Sequence, residues 1–96
     1  MKEEAVNMPT IQKGDNRFYI EEGGETLAEI TYVSIGEDQI DVNHTYVSEK
    51  LRGQGVAGQL VEHIADYARS EGKKVVPTCS YAKAKMEKDY PDLLAK

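Results

Sequence analysis

Hydrophobic and polar positions follow two rhythms along the chain: a period of two up to residue 47, and a period of three to four from residue 56 onward. Arg17-Phe18-Tyr19-Ile20-Glu21 opens the first, with the spacing of a strand that buries one face. Glu22-Gly23-Gly24-Glu25 then reads as a turn, because paired glycines accept the positive φ of a tight hairpin. Thr26 to Ile35 is rich in β-branched and aromatic residues. Leu27, Glu29, Thr31 and Val33 fall on one side, and Ala28, Ile30, Tyr32 and Ser34 on the other. After a turn at Gly36-Glu37-Asp38, a third strand runs from Gln39 to Val47. With no bulge it carries Ile40, Val42, His44 and Tyr46 on one face. These three strands predict an antiparallel meander.

The second rhythm begins after a loop at Leu51–Gly55. Between Val56 and Ser70, apolar residues occupy 57, 60, 61, 64, 65 and 68, a helix with one buried stripe. Gly72 sits just past its end, where a capping glycine belongs. Lys73 to Cys79 reads as a short strand around Val75-Val76. Ala82 to Lys88 reads as a last helix, which Pro91 helps to stop. The predicted order is β-β-β-α-β-α. The helix between the third and fourth strands implies a right-handed crossover, so those strands are parallel neighbours and the sheet is mixed. The expected fold is therefore α/β (α+β): a mixed, mostly antiparallel sheet with a central helix and a short C-terminal helix. Residues 17–96 form one domain. Residues 1–16 hold Pro9, Gly14, Asp15 and Asn16 without a clear period. They read as a flexible N-terminal segment with, at most, a short edge strand near Thr10–Gln12.

Composition narrows the functional classes. A chain of 96 residues has room for one small domain. The formal charge of −5 argues against nucleic acid as a partner. No apolar run approaches the roughly 20 residues of a membrane-spanning helix, and Met1–Val6 has no apolar signal core. A single cysteine makes no internal disulfide and is too few for a cysteine-cage zinc site, so a reducing cytoplasm is the expected location, without a metal. The charge is uneven: residues 1–48 carry 3 basic and 10 acidic side chains, residues 49–96 carry 9 and 7. An anionic ligand is thus expected in the second half.

Arg52-Gly53-Gln54-Gly55-Val56-Ala57-Gly58 is the most informative stretch, because it follows a strand and opens a helix. A helix N-terminus leaves its first amides unpartnered and carries a partial positive charge. Glycines let a bulky anion approach the backbone. Phosphate or diphosphate is the natural occupant, with Arg52 adding a permanent cation. Gly53, Gly55 and Gly58 also satisfy G-x-G-x-x-G. A dinucleotide fold, however, wants an acidic residue at the end of the next strand, and here that strand ends in Cys79. A P-loop is excluded because no Gly-Lys-Ser/Thr follows.

Val47 to Ala57 resembles the acetyl-CoA signature of the GNAT N-acetyltransferase superfamily, Arg/Gln-x-x-Gly-x-Gly/Ala, through Arg52, Gly55 and Ala57, with the hydrophobic Val47 five residues before the arginine. Element order extends the resemblance over roughly residues 17–96. His44-Thr45 before the motif, and Cys79 within Pro77-Thr78-Cys79-Ser80-Tyr81, are similar to the small members of about 100 residues. The resemblance implies acetyl-CoA as co-substrate and an amine as acceptor. Its diphosphate would lie on the amides of Gly53, Gln54, Gly55, Val56, Ala57 and Gly58, beside Arg52. Its pantetheine arm would pair with the backbone of Tyr46 and Val47, and a backbone N–H there would receive the acetyl carbonyl. Larger members have helices after the first strand that build the acceptor wall. Here only Glu22–Glu25 joins the first two hairpin strands, so the acceptor side is open or completed by another molecule. A non-catalytic acyl-CoA-binding module or partner-dependent subunit is therefore the rival reading, and a monomer or weak homodimer is expected.

Cys79 ends the second crossover strand, where ligands bind in α/β units, and a thiolate there would accept the acetyl group or a proton. A small buried core residue is the alternative. The crossover makes the strand of His44 its neighbour, so His44 is the candidate general base or thiolate partner. A satisfied core histidine is the other reading. Tyr81 is close enough to the ligand end to line an acetyl pocket, although packing is the simpler role. His63 reads as a surface residue.

Overall fold

In a computed structural model, residues 10–95 are described. Strands β1 (Gln12–Gly14), β2 (Arg17–Glu22), β3 (Glu25–Ile35) and β4 (Gln39–Val47) precede helix α1 (Val56–Glu71); β5 (Lys74–Pro77) and helix α2 (Ser80–Asp89) follow. The sheet runs β1-β2-β3-β4-β5 in space. Neighbours from β1 to β4 are antiparallel, while β4 and β5 are parallel, as the crossover requires. The mixed α/β class predicted by the two rhythms is the one observed. One strand is added at the edge: β1 pairs Gln12 with Tyr19 and Gly14 with Arg17, two residues beyond the expected edge strand. Residues 1–9 of the expected flexible segment lie outside the described residues.

The core lies on one face of the sheet. Ile20, Ala28, Ile30, Ile40, Val42 and Val75 are fully buried there against Leu60, Val61, Ile64, Ala65 and Ala68 of α1. Ala82 and Met86 of α2 complete the layer. Each large aliphatic side chain buried this way stabilises the fold by about 1.5–3 kcal/mol. α1 stops where Gly72 takes a left-handed φ of 66° and its amide returns to the Ala68 carbonyl. Beyond α2 the chain lies beside β5, the Ala95 amide donating to the Val75 carbonyl at 2.9 Å. The other sheet face has no helix on it among the described residues, and Val33 and Ile35 stand exposed there.

Two register shifts position the site. One falls between Ile20 and Glu21, opposite Leu27, so that Leu27 and Ala28 are both buried. The other falls in β4: Thr31 pairs with His44 but Tyr32 pairs with Val42, leaving Asn43 as the extra residue. An inserted residue reverses the alternation beyond it. The expectation that His44 and Tyr46 share the face of Ile40 and Val42 is therefore corrected. His44 and Tyr46 are exposed, and Thr45 and Val47 turn toward the core side instead.

Candidate functional site

The site forms where β4 and β5 part. Their pairing ends at Val42 and Pro77, yet β4 continues to Val47. Proline has no N–H to extend the ladder. The next two amides, of Thr78 and Cys79, both donate to the Val42 carbonyl at 3.0 Å, and the chain turns into α2. Residues 44–47 thus keep their partners in β3 while their other edge faces a gap rather than a strand.

The loop after β4 is held at both ends. The Ser48 amide donates to the Leu27 carbonyl at 2.7 Å, and the Ser48 hydroxyl accepts from the Lys50 amide at 3.2 Å, capping a single turn of 3₁₀ helix at Glu49–Leu51. Leu51 plugs into the core. From this anchor the chain passes Gly53 (φ 83°) and Gly55 (φ 74°), both left-handed, and enters α1. That conformation costs an L side chain roughly 1–2 kcal/mol, so glycine belongs at both positions.

Gly55 caps α1 without a side-chain hydrogen bond, and the first turn of the helix has no acidic residue. The first amide of the stretch to find an acceptor is that of Gln59, to the Gly55 carbonyl at 3.1 Å. Among the described residues, the amides of Gly53, Gln54, Gly55, Val56, Ala57 and Gly58 donate to no protein group. All of these residues but Gln54 border a cleft of about 170 Å³ whose walls include Val47, Arg52 and Tyr81. A second cleft of about 400 Å³, from Tyr46 to Arg52, adjoins it at Val47 and Arg52. Tyr81 enters the site from α2, and its hydroxyl would lie 3.8 Å from a Cβ placed on Gly58. Tyr81 thus stands on the cleft wall beside Gly58.

Cys79 is the N-cap residue of α2, half-buried at the closed end of the gap, where its amide meets the Val42 carbonyl. Its Sγ lies 3.3 Å from Thr45 Oγ1. Burial opposes ionisation. The Thr45 hydroxyl and the amides of Ala82, Tyr81 and Thr45 outweigh it, and the thiol sits below its ordinary pKa. The side chain that meets the cysteine is thus Thr45, not His44. The bulge at Asn43 aims His44 out of the core face, so the structure does not bring the two predicted side chains together there. The parity change was readable: Ile40 and Val42 are even, Val47 is odd, and an asparagine, poor in strands, lies between. His63 is exposed on α1, its Nδ1 at 2.9 Å from the Gln59 carbonyl oxygen.

The fold and the site define an α/β domain whose parallel strand pair splays beside an uncapped helix start. The sequence profile of the GCN5-related N-acetyl-transferase matches residues 17–93. The chain belongs to that family. A GCN5-like protein from Staphylococcus aureus, known from an NMR solution structure, superposes with a TM-score of 0.77 and 36% identity over 94% of this chain and 91% of that one. The protein NATD1 of Xenopus tropicalis is 33% identical over 59 residues, which is 62% of this chain and 54% of that protein, so the match spans about half of its length. A GNAT family acetyltransferase from Elizabethkingia anophelis, crystallised with acetyl-CoA bound, shares the fold at a TM-score of 0.59 and 18% identity, over 77% of this chain and 51% of that one.

Proposed function

We propose that the protein binds acetyl-CoA and transfers its acetyl group to an amine. The observation that carries this reading is the row of free amides at 53–58 beside the gap between β4 and β5. Such amides suit a diphosphate, which gains several charge-assisted hydrogen bonds without displacing any protein partner. Arg52 lies at the same rim, and among the described residues its guanidinium has no carboxylate partner. The open edge of Tyr46 and Val47 would pair with the amides of a pantetheine arm as an added half-strand. Acetyl-CoA supplies an activated thioester, and the backbone of β4 would receive its carbonyl oxygen.

Cys79 is the group proposed to act at the far end of the gap. As a thiolate it would take a proton from the incoming ammonium, and the free amine would then attack the thioester. Carbon–nitrogen bond formation and carbon–sulfur cleavage release the carrier thiol, with the proton lost from the amine passing to its sulfur. His44, on the solvent side of β4, is available to an amine that reaches the gap from that side. The hairpin between β2 and β3 turns through Gly23 and Gly24 alone, so among the described residues this connection builds no wall around the acceptor. That openness favours the second reading, a binding module whose acceptor side is completed by a partner.

Titration of the labelled protein with coenzyme A should shift the amide signals of residues 52–58. No shift at millimolar ligand would refute the reading. Mass spectrometry after incubation with acetyl-CoA and a panel of amines separates the two forms. Transfer that Cys79→Ala abolishes supports the enzyme, and binding without transfer to any amine supports the module.

A further inference from the structure

Gly58 lies in the first turn of α1, and the α2 side chain that faces it beside Tyr81 is a lysine. A Cβ placed on Gly58 would lie 3.5 Å from Lys85 Cε and 3.7 Å from Lys85 Nζ. An ammonium group is thus parked against the positive end of a helix whose first turn contains no acidic residue. In the protein alone this placement is electrostatically wrong. Cations belong at helix C-termini, and α1 carries its own in the last turn, Arg69. The offset comes from Asp89, one turn further along α2, whose Oδ2 holds Lys85 Nζ at 2.7 Å. That pair is about one-third exposed on both sides, so solvent can compete with it. Tyr81, one turn before Lys85 on the same helix face, already lines the cleft of the free amides. Lys85 is therefore next to the cradle at Gly58, and is kept there by a carboxylate that an incoming anion could replace.

We infer that Lys85 is a phosphate-recognising residue of the carrier site, and that Asp89 is its internal counter-ion, exchanged for a phosphate oxygen when a phosphorylated carrier binds. The assignment rests on the coenzyme A reading of the cradle. It adds a specificity element outside the glycine-rich motif, on the last helix. It also makes the site selective for the phosphorylated end of the carrier over its pantetheine end. Swapping Asp89 for phosphate keeps the lysine paired throughout, and it turns the repulsion between the ammonium and the start of α1 into a shared attraction for one anion.

Isothermal titration of coenzyme A and of pantetheine, into wild type, Lys85→Ala and Asp89→Asn, tests it. Lys85→Ala should weaken coenzyme A binding about five- to tenfold, as for one partly screened charge-assisted hydrogen bond, and leave pantetheine binding unchanged. Asp89→Asn should strengthen coenzyme A binding about two- to fivefold, since the ligand no longer displaces a carboxylate. The gain should vanish in the double variant. Equal coenzyme A affinity in wild type and Lys85→Ala overturns the inference while leaving the cradle intact. Weakening in Asp89→Asn also overturns it, since a carboxylate that merely positions the lysine would be needed for binding. If wild type binds no coenzyme A, the underlying reading fails, and this one with it. Circular dichroism confirms folding, and both side chains are surface groups on α2.

Discussion

Replacing Gly58 by alanine should make the protein more stable and its cleft worse, a combination that separates the site from the scaffold. Gly58 has ordinary helical φ, in contrast to Gly53 and Gly55. Within α1 an alanine has less backbone entropy to lose than a glycine and stabilises a helix by about 0.5–1 kcal/mol. The added Cβ would meet nothing closer than 3.5 Å, an ordinary van der Waals contact, so no packing penalty offsets the gain. In a domain of this size that corresponds to a rise in Tm of about 2–8 °C. The same methyl group points between α1 and α2, toward Tyr81 and Lys85 and into the cleft that Gly58 lines. A phosphate kept off even one amide loses a charge-assisted hydrogen bond, about 1.5–3 kcal/mol, or roughly ten- to a hundredfold in coenzyme A affinity. Thermal unfolding by circular dichroism and titration calorimetry on the same preparation read both quantities. A G58A protein that gains stability and keeps its affinity would refute the placement of the phosphates. One that loses stability would refute the packing argument.

Gly55→Ala should do the reverse in stability. Its φ of 74° makes a side chain cost roughly 1–2 kcal/mol by urea unfolding, although no atom obstructs it, and coenzyme A binding should fall as well. Leu51→Ala removes the anchor of the loop and should destabilise by about 2–5 kcal/mol, with coenzyme A affinity falling because the amides of 53–58 lose their fixed origin. Alkylation of Cys79 by iodoacetamide should inflect below the ordinary thiol range near 8.5, and Thr45→Val should move the inflection upward by removing a hydrogen bond to the thiolate. The linked stability has a definite sign. Because folding lowers the Cys79 pKa, its contribution is complete above the unfolded value and is lost as pH falls through the folded value. Wild type should therefore gain stability relative to Cys79→Ala as pH rises across that window. An inflection at or above the ordinary range would contradict the Thr45 contact.

The parts of the fold that were legible are those governed by periodicity and by glycine. The buried stripe of α1 follows the spacing 57, 60, 61, 64, 65 and 68 closely, with Ala57 alone less buried because it faces the cleft. The cradle was legible because its chemistry is backbone chemistry, and Gly53 and Gly55 announce left-handed turns before a helix. Side-chain partnerships were not legible to the same degree. One extra residue in β4 decided whether His44 or Thr45 met Cys79, and pattern reasoning treats a strand as straight until a parity change is taken seriously. Helix α2 begins at Ser80, two residues before the Ala82 start that the pattern predicts, because Pro77 has already ended the ladder. The earlier start brings Tyr81 onto α2, where residues 81 and 85 share a face.

These differences share one physical origin. The chain places its candidate chemistry where elements end and its stability where they run on. β4 is paired on both edges only as far as Val42, and the apolar residues beneath it belong to the core. Beyond Val42 the strand is held from one side, the loop by Leu51 and Ser48, and the cysteine by the first turn of α2. Ends leave backbone groups without partners, and a ligand that supplies those partners gains binding energy without breaking a protein contact. A domain this small cannot afford many buried polar groups held ready by side-chain networks. Uncapped amides at a helix start and an unpaired strand edge achieve the same readiness with glycine and proline alone. It follows that a cradle substitution at ordinary helical φ, Gly58→Ala, should alter binding more than folding, whereas those one layer below, at Leu60 or Ile64, should lower stability by about 2–5 kcal/mol and leave the intrinsic affinity of the folded fraction unchanged.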